Sequence, residues 1–89
     1  MNPREMKTKM TLSDLWVHFG TNPDTVIFYY EVANQLMEKE FTIHLENTFY
    51  SFEHDQCMEF GKHFVINHWR YDHPDGRGIL RLWVDLMNE

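Results

Sequence analysis

The sequence predicts an α+β fold in which two N-terminal helices pack on a small antiparallel sheet of three or four strands. Helix start signals lie near the N-terminus, and apolar and polar residues alternate toward the C-terminus. With 89 residues, 43% of them hydrophobic, the chain suits one domain with a modest core. Residues 1–10 show no periodicity and are expected to be a flexible segment ahead of a single domain spanning 11–89.

The first helix is predicted over residues 12–19. Residues 11–14 resemble a capping box, with Asp14 in place of the usual glutamate, so that side chains satisfy the first backbone N–H groups. Leucine, tryptophan and phenylalanine then recur at helical spacing, and Gly20 is a natural end.

A second helix is predicted over residues 23–39. Residues 21–24 supply a capping side chain, a proline for the first helical position and an acid in the first turn. Good helix formers follow over residues 35–39. Residues 26–32 are instead rich in strand formers, which leaves an extended conformation as the alternative. The helix is favoured because the start signal is specific and propensity is only a weak bias.

The middle of the chain predicts strand and then helix. Residues 41–46 alternate cleanly and predict a strand, and residues 48–52 are suited to pair back with it. Residues 53–62 suit a short helix that presents Cys57 and Phe60 inward.

A hairpin is predicted for the C-terminal part. Residues 63–71 either extend the preceding helix or form a strand, and residues 79–87 alternate like a half-buried strand. The loop between them is dense in turn formers, which favours the hairpin. The residues expected inward are Leu80, Leu82, Val84 and Leu86.

The histidines and the cysteine match no metal motif. His63, His68 and His73 are five residues apart, a spacing that suits neither one helix face nor one strand face. His54 and Cys57 can share a helix face, but a structural zinc site usually needs four ligands. We therefore expect no metal and no cofactor, and interpret the histidines as ordinary surface or capping residues.

Cys57 is predicted to be a core residue, since free cysteine is among the most buried residue types. Its neighbours match no nucleophile signature, and the scattered glycines form no phosphate-binding loop. We expect no enzymatic activity, with a small site built on His54, Cys57 and neighbouring histidines as an alternative. A lone thiol, no leader-like segment and no long apolar run predict a soluble, cytoplasmic protein with no membrane contact.

Negative charge is concentrated in the middle of the chain. The net charge is −6, and residues 11–60 carry nine acidic side chains against one lysine. Such a segment repels nucleic-acid phosphates and attracts basic surfaces, although its simplest role is solubility. If the second predicted helix forms, Asp24, Glu31 and Glu38 recur every seven residues and stand about 10 Å apart along one line.

Two large apolar side chains flank this acidic stripe. In a helix the tyrosines gather on the opposite, inward side, which leaves Ile27 and Phe28 beside the carboxylates. The alternative is that another layer of the fold covers them. Exposed apolar residues next to ordered like charges are typical of a contact surface. We therefore predict a partner-binding site formed by Asp24, Glu31, Glu38, Ile27 and Phe28.

The leading functional hypothesis is a stoichiometric binding protein, an inhibitor whose acidic face blocks the basic surface of a protein partner, such as one that normally holds nucleic acid. Small, acidic, aromatic-rich chains without motifs resemble phage-encoded antagonists of host defence proteins or host enzymes. A homodimer is also compatible with exposed aromatic residues.

Direct binding of nucleic acid is the other alternative. Cationic and aromatic side chains interleave on the predicted C-terminal hairpin, an arrangement that stacks bases and neutralises phosphates. In residues 61–89, however, acids cancel the basic side chains, so nucleic-acid contact is not favoured. The residues concerned are Trp69, Arg70, Tyr71, Arg77, Arg81 and Trp83.

Overall fold

The computed structural model describes residues 10–18, 23–43 and 52–87, which form an α+β fold of two helices and a four-stranded sheet. The segment predicted to be flexible lies outside these residues, apart from Met10. In chain order the elements are α1 (Leu12–Trp16), β1 (Thr25–Val32), β2 (Gln35–Thr42), α2 (Phe52–Gly61), β3 (Phe64–Asp72), a 3-10 turn at Pro74–Gly76, and β4 (Ile79–Leu86).

The sheet is mixed, with the strand order β2-β1-β4-β3. The outer pairs β1–β2 and β3–β4 are antiparallel hairpins, whereas the central strands β1 and β4 run parallel. The predicted antiparallel sheet is therefore wrong at its centre. The prediction that both helices precede the sheet is also wrong. In chain order α2 follows the first hairpin and connects the edge strand β2 to the other edge strand, β3.

The helix predicted over residues 23–39 is wrong, since this segment folds into the β1–β2 hairpin. The strand-forming residues of β1 prevail over the local start signal because they pair with strands on both sides. The turn consists of Ala33 and Asn34, whose φ angles of 52° and 67° are the positive values that a type I′ turn requires. Asp24, expected to stabilise a helix start, instead accepts a hydrogen bond from the Gly78 amide at 2.7 Å.

We expect the double substitution Ala33→Asn and Asn34→Gly to raise the free energy of unfolding by about 1 kcal/mol. A left-handed backbone costs alanine about 1–2 kcal/mol, whereas Asn-Gly is the preferred type I′ sequence. Urea denaturation measures the change. Ala33→Val is the matched control and should lower stability, because β-branched residues tolerate positive φ poorly. Equal stability of both variants would contradict the turn geometry.

Three other predicted elements are present, although the first helix, predicted over residues 12–19, ends at Trp16, with Val17 and His18 in a turn and residue 19 outside the described residues. Thr11 and Asp14 form the capping box, and the two hydrogen bonds from the Thr11 backbone and hydroxyl hold the pKa of Asp14 below its usual range. The helix predicted over residues 53–62 matches α2, and the predicted C-terminal hairpin matches β3 and β4. Leu86 is the exception in that hairpin, being 66% exposed.

The strand predicted over residues 41–46 is confirmed only at its start, where Phe41 and Thr42 end β2. Residues 44–51 lie outside the described part of the chain, so most of the strand predicted over residues 48–52 is not described. Its last residue, Phe52, opens α2 instead.

Both helices pack on the same face of the sheet, where the core lies. Gly61 permits the close approach of α2 to α1, since a Cβ atom there would lie 2.8 Å from Leu12 Cδ2. None of the described elements covers the opposite face, which is called the open face below. The core comprises Leu12, Leu15, Val26, Phe28, Phe41, Ile43, Cys57, Phe64, Leu80, Leu82 and Val84.

Candidate functional site

The far end of the β1–β2 hairpin, near its turn, extends beyond the paired centre of the sheet. Strand β4 pairs with β1 only from Thr25 to Tyr29, after which the two hairpins are no longer paired with each other. Beyond that point Glu31 and Val32 are exposed. In β2 the first six residues are all exposed, so both faces of this end are accessible.

Exposed apolar side chains collect at this end of the molecule. Large apolar patches are uncommon on monomeric proteins and usually mark contact surfaces. Val32 and Leu86 line opposite sides of a notch of about 130 Å³ between the hairpins, and Val84 and Phe64 lie deeper in its wall. The distal patch comprises Val32, Leu36, Met37 and Leu86, which are 54, 71, 40 and 66% exposed.

Four carboxylates lie near the distal patch, on the open face, which they share with Leu36, whereas Val32, Met37 and Leu86 lie on the helix-covered face. Glu31 and Asp85 line the notch. Glu38 and Glu40 follow along β2, where the register places them opposite Tyr29 and Ile27. All four side chains are exposed and lie on the open face, because the register of the sheet places them there.

The structure rearranges the site predicted from the sequence. Phe28 and Ile27 are only 1% and 7% exposed, so the expectation that they flank an exposed stripe is wrong. Phe28 points into the core, and Ile27, although on the open face, is enclosed by its neighbours. Asp24 is held at the start of β1 by Gly78, away from the other two acids. The straight line of three carboxylates does not exist.

Glu31 and Glu38, by contrast, are brought together. Glu31 pairs with Leu36, and Glu38 lies two residues further along β2, so the two carboxylates sit diagonally on one face. The extended alternative for this segment does not by itself place the two acids on one face. The turn at residues 33–34 does so, because it pairs β1 with β2. Their role in binding a partner stays a prediction.

The open face also carries an aromatic row that sequence reasoning missed. The Tyr29 and Trp83 rings stack at 4.9 Å between centroids, and His68 lies 5.1 Å from Trp83. Arg81 Nε donates to the Tyr29 hydroxyl at 3.3 Å. The row depends on the parallel register of β1 with β4, which no local sequence pattern reveals.

The arginines proposed for nucleic-acid contact are largely committed within the chain. Asp72 receives Arg70 at 3.0 Å and Arg81 at 3.1 Å, so one carboxylate offsets two guanidinium groups. Arg70, Arg81 and Trp83 do share the open face, while Trp69 alternates to the helix-covered side. Arg77 is exposed in the loop before β4.

The charge of the open face also disfavours phosphate binding, because acidic side chains share this face with Arg70 and Arg81. These acidic side chains are Glu31, Glu38, Glu40 and Asp85.

The histidine and cysteine alternative receives no geometric support. Cys57 is fully buried, and burial raises the pKa of its thiol to about 12, so the reactive thiolate is absent at neutral pH. His54 Nδ1 lies 3.1 Å from an Asp55 carboxylate oxygen on the same helix. Among residues 10–18, 23–43 and 52–87, no three His, Cys, Asp or Glu side chains gather as metal ligands.

Comparison with protein-family models, with curated proteins and with solved structures gives no match to this chain. In the described part of the chain, no helix has the length and apolar character needed to cross a bilayer. Among the described residues, the exposed apolar end of the β1–β2 hairpin and the carboxylates of the open face form the candidate contact surface.

Proposed function

We propose that this chain is a small protein-binding domain that occupies a basic surface of a partner protein and thereby blocks it. The observation that carries the proposal is the distal patch at the exposed end of the β1–β2 hairpin, together with the exposed carboxylates Glu31, Glu38, Glu40 and Asp85 on the open face. Binding of this kind needs no catalytic residue, metal or cofactor.

The apolar and the acidic side chains of this surface contribute to binding in different ways. Burial of an exposed Leu36 or Val32 against a partner removes apolar area from water, which is worth about 1.5–3 kcal/mol for a fully buried side chain. The carboxylates contribute less affinity, but they attract a basic partner and reject acidic ones. The exposed position of the hairpin lets both faces of its end contact the same partner.

The matched test uses two double variants with equal net charge. Glu31→Gln with Glu38→Gln is expected to weaken binding of the partner about three- to tenfold at low salt, because two steering charges beside the patch are removed. Asp55→Asn with Glu59→Gln removes two exposed charges from α2, on the face of the sheet opposite to Glu31 and Glu38, and is expected to weaken binding less than the first pair does.

Titration calorimetry against the partner identified by cross-linking measures these affinities at low and high salt. The wild-type affinity should fall with salt, and the Glu31/Glu38 variant should show a smaller fall, since screening acts on the charges that it lacks. If both double variants bind like the wild type, the acidic hairpin is not the contact surface.

Nucleic-acid contact is a second candidate function, because Arg70, Arg81 and Trp83 lie on the same open face of the sheet. A gel shift with single- and double-stranded probes at low salt distinguishes it. A retarded band that is lost in Arg70→Ala would favour that candidate over protein binding.

A further inference from the structure

The two edge strands of the sheet, β3 and β2, differ in how far they are protected from pairing with another chain. At the β3 edge the Ile66 amide donates to the Met10 carbonyl at 2.8 Å, and a register irregularity lies between Ile66 and His68. Both features are recognised ways of keeping an edge strand from pairing with another chain. The β2 edge, in contrast, keeps a regular register with β1 over its whole length from Gln35 to Thr42, without proline.

Every second residue of β2 directs its backbone N–H and C=O groups outward. In an antiparallel ladder, inward and outward peptide groups alternate. Two hydrogen bonds identify which residues of β2 have outward backbone groups. The Ile43 amide donates inward to the Asp24 carbonyl at 2.7 Å, and the Thr42 amide donates outward to a Glu53 carboxylate oxygen at 2.8 Å. Counting back from Thr42 in steps of two, the outward residues are Glu40, Glu38 and Leu36.

No described segment pairs with these outward groups. Strand β2 is the last strand on its side of the sheet, and residues 10–18, 23–43 and 52–87 supply no further strand beside it. Residues 35–40 are exposed. A row of outward N–H and C=O groups on a regular edge is a template for an additional strand.

The side chains of β2 specify which strand would fit. On the open face, Glu38 and Glu40 stand two residues apart, the spacing at which an adjacent strand presents alternate side chains. On the helix-covered face, Met37 is 40% exposed and the Lys39 ammonium lies over the Phe41 ring. An added strand thus meets carboxylates on one face and, on the other, the partly exposed Met37 beside Lys39 and the Phe41 ring.

We infer that the β2 edge binds an extended segment of the partner as a fifth strand, in which basic side chains alternate with apolar ones. The inference rests on the proposed function and specifies its binding mode. Backbone hydrogen bonds to Leu36, Glu38 and Glu40 hold the segment, and its basic side chains meet the two glutamates. The bond between Thr42 and Glu53 marks the end of the free edge.

A second copy of this chain is the less suitable occupant. If two β2 edges paired antiparallel with full overlap, Glu38 would face the Glu38 of the other copy. Like charges directly opposite each other destabilise a strand pair, so the acids that favour a basic segment disfavour self-association. The charge complementarity selects a basic partner strand.

Amide hydrogen exchange followed by NMR tests the inference, with a short blocked peptide of alternating lysine and valine as the probe. The amides of Leu36, Glu38 and Glu40 are expected to exchange at least about tenfold more slowly with the peptide than without it. The inward amides of Met37, Lys39 and Phe41 are the internal control, because β1 already protects them. Binding that leaves the outward amides unchanged would overturn strand addition.

Two substitutions at Glu38 separate backbone pairing from charge. Glu38→Thr loses only the carboxylate, whereas Glu38→Pro also loses the outward N–H while leaving the ladder with β1 intact. The proline variant is expected to bind the peptide about tenfold more weakly than the threonine variant. Circular dichroism checks that both are folded, and the exchange measurement on the wild type stands independently of either.

The outcomes distinguish this inference from the proposed function. Equal affinities of the two Glu38 variants, together with a loss of binding in the Glu31/Glu38 glutamine variant, would leave an acidic binding surface without strand addition. Full binding by all three variants would overturn both. Protection of the outward amides in the free protein, with a dimer seen by sedimentation, would assign the edge to a second copy.

Discussion

Replacing Phe28 by alanine is expected to lower the free energy of unfolding by about 3–5 kcal/mol, the usual cost of removing a buried phenylalanine. The Phe28 side chain is 1% exposed, and its ring packs against those of Phe41, Phe60 and Phe64 at 5.8, 5.0 and 6.1 Å. Native domains are stable by only about 5–15 kcal/mol, so the variant should lose much of its stability. Urea denaturation followed by circular dichroism measures the loss.

The matched control for Phe28 is Val32→Ala. Val32 lies on the same strand and the same face, but it is 54% exposed and should cost less than about 1 kcal/mol. If Phe28→Ala were as stable as the wild type and instead lost partner binding, Phe28 would belong to the contact surface, as the helical interpretation of residues 23–39 predicted.

Alkaline pH is expected to destabilise the protein through Cys57. In the unfolded chain the thiol ionises near pH 9, whereas burial raises its pKa to about 12 in the folded protein. The thiol thus favours the folded state fully below pH 9. Between about pH 9 and 12 the unfolded state binds fewer protons, so this contribution is lost as pH rises, at about 1.4 kcal/mol per pH unit.

Cys57→Ala isolates this effect from other groups that titrate in the same range. The variant should be less stable at pH 7, because it leaves a cavity in the core. Its stability should nevertheless fall less steeply above pH 9 than that of the wild type, and the difference between the two curves gives the cysteine contribution. Parallel curves, or rapid modification of Cys57 by a thiol reagent in the folded state, would contradict its burial.

The parts of the fold that were predictable from the sequence are those set by neighbouring residues. The capping box at Thr11 and Asp14 spans one helical turn. The hairpin of β3 and β4 follows from the alternation over residues 79–87 and from the turn formers before it. The inward position of Cys57 follows from the strong tendency of free cysteine to be buried.

The errors arise where residues far apart in sequence decide the structure. In residues 23–39, proline and acid at the start signalled a helix, but pairing of β1 with both β2 and β4 outweighs that local signal. The parallel pairing depends on a partner strand far along the chain and has no local signature. Ala33 in particular does not indicate a turn with left-handed backbone, because glycine or asparagine usually occupies such positions.

The candidate site shows the same division. The acidity of the middle segment and the exposure of Glu31 and Glu38 agree with the sequence interpretation. The apolar part was misassigned, because Ile27 and Phe28 became internal when the helix was replaced by a strand. Val32, Leu36 and Met37 took their place at the exposed end, which depends on how far β4 follows β1.

The central parallel pair also determines how the chain can reach its native state. Each hairpin joins strands that are close in sequence, and isolated hairpins form within microseconds. The contact that unites them, such as that of Asp24 with Gly78, bridges 54 residues and must close a large loop against chain entropy. We therefore expect docking of the two hairpins to be the slow step of folding, before which the inner strands β1 and β4 each have one edge exposed to water.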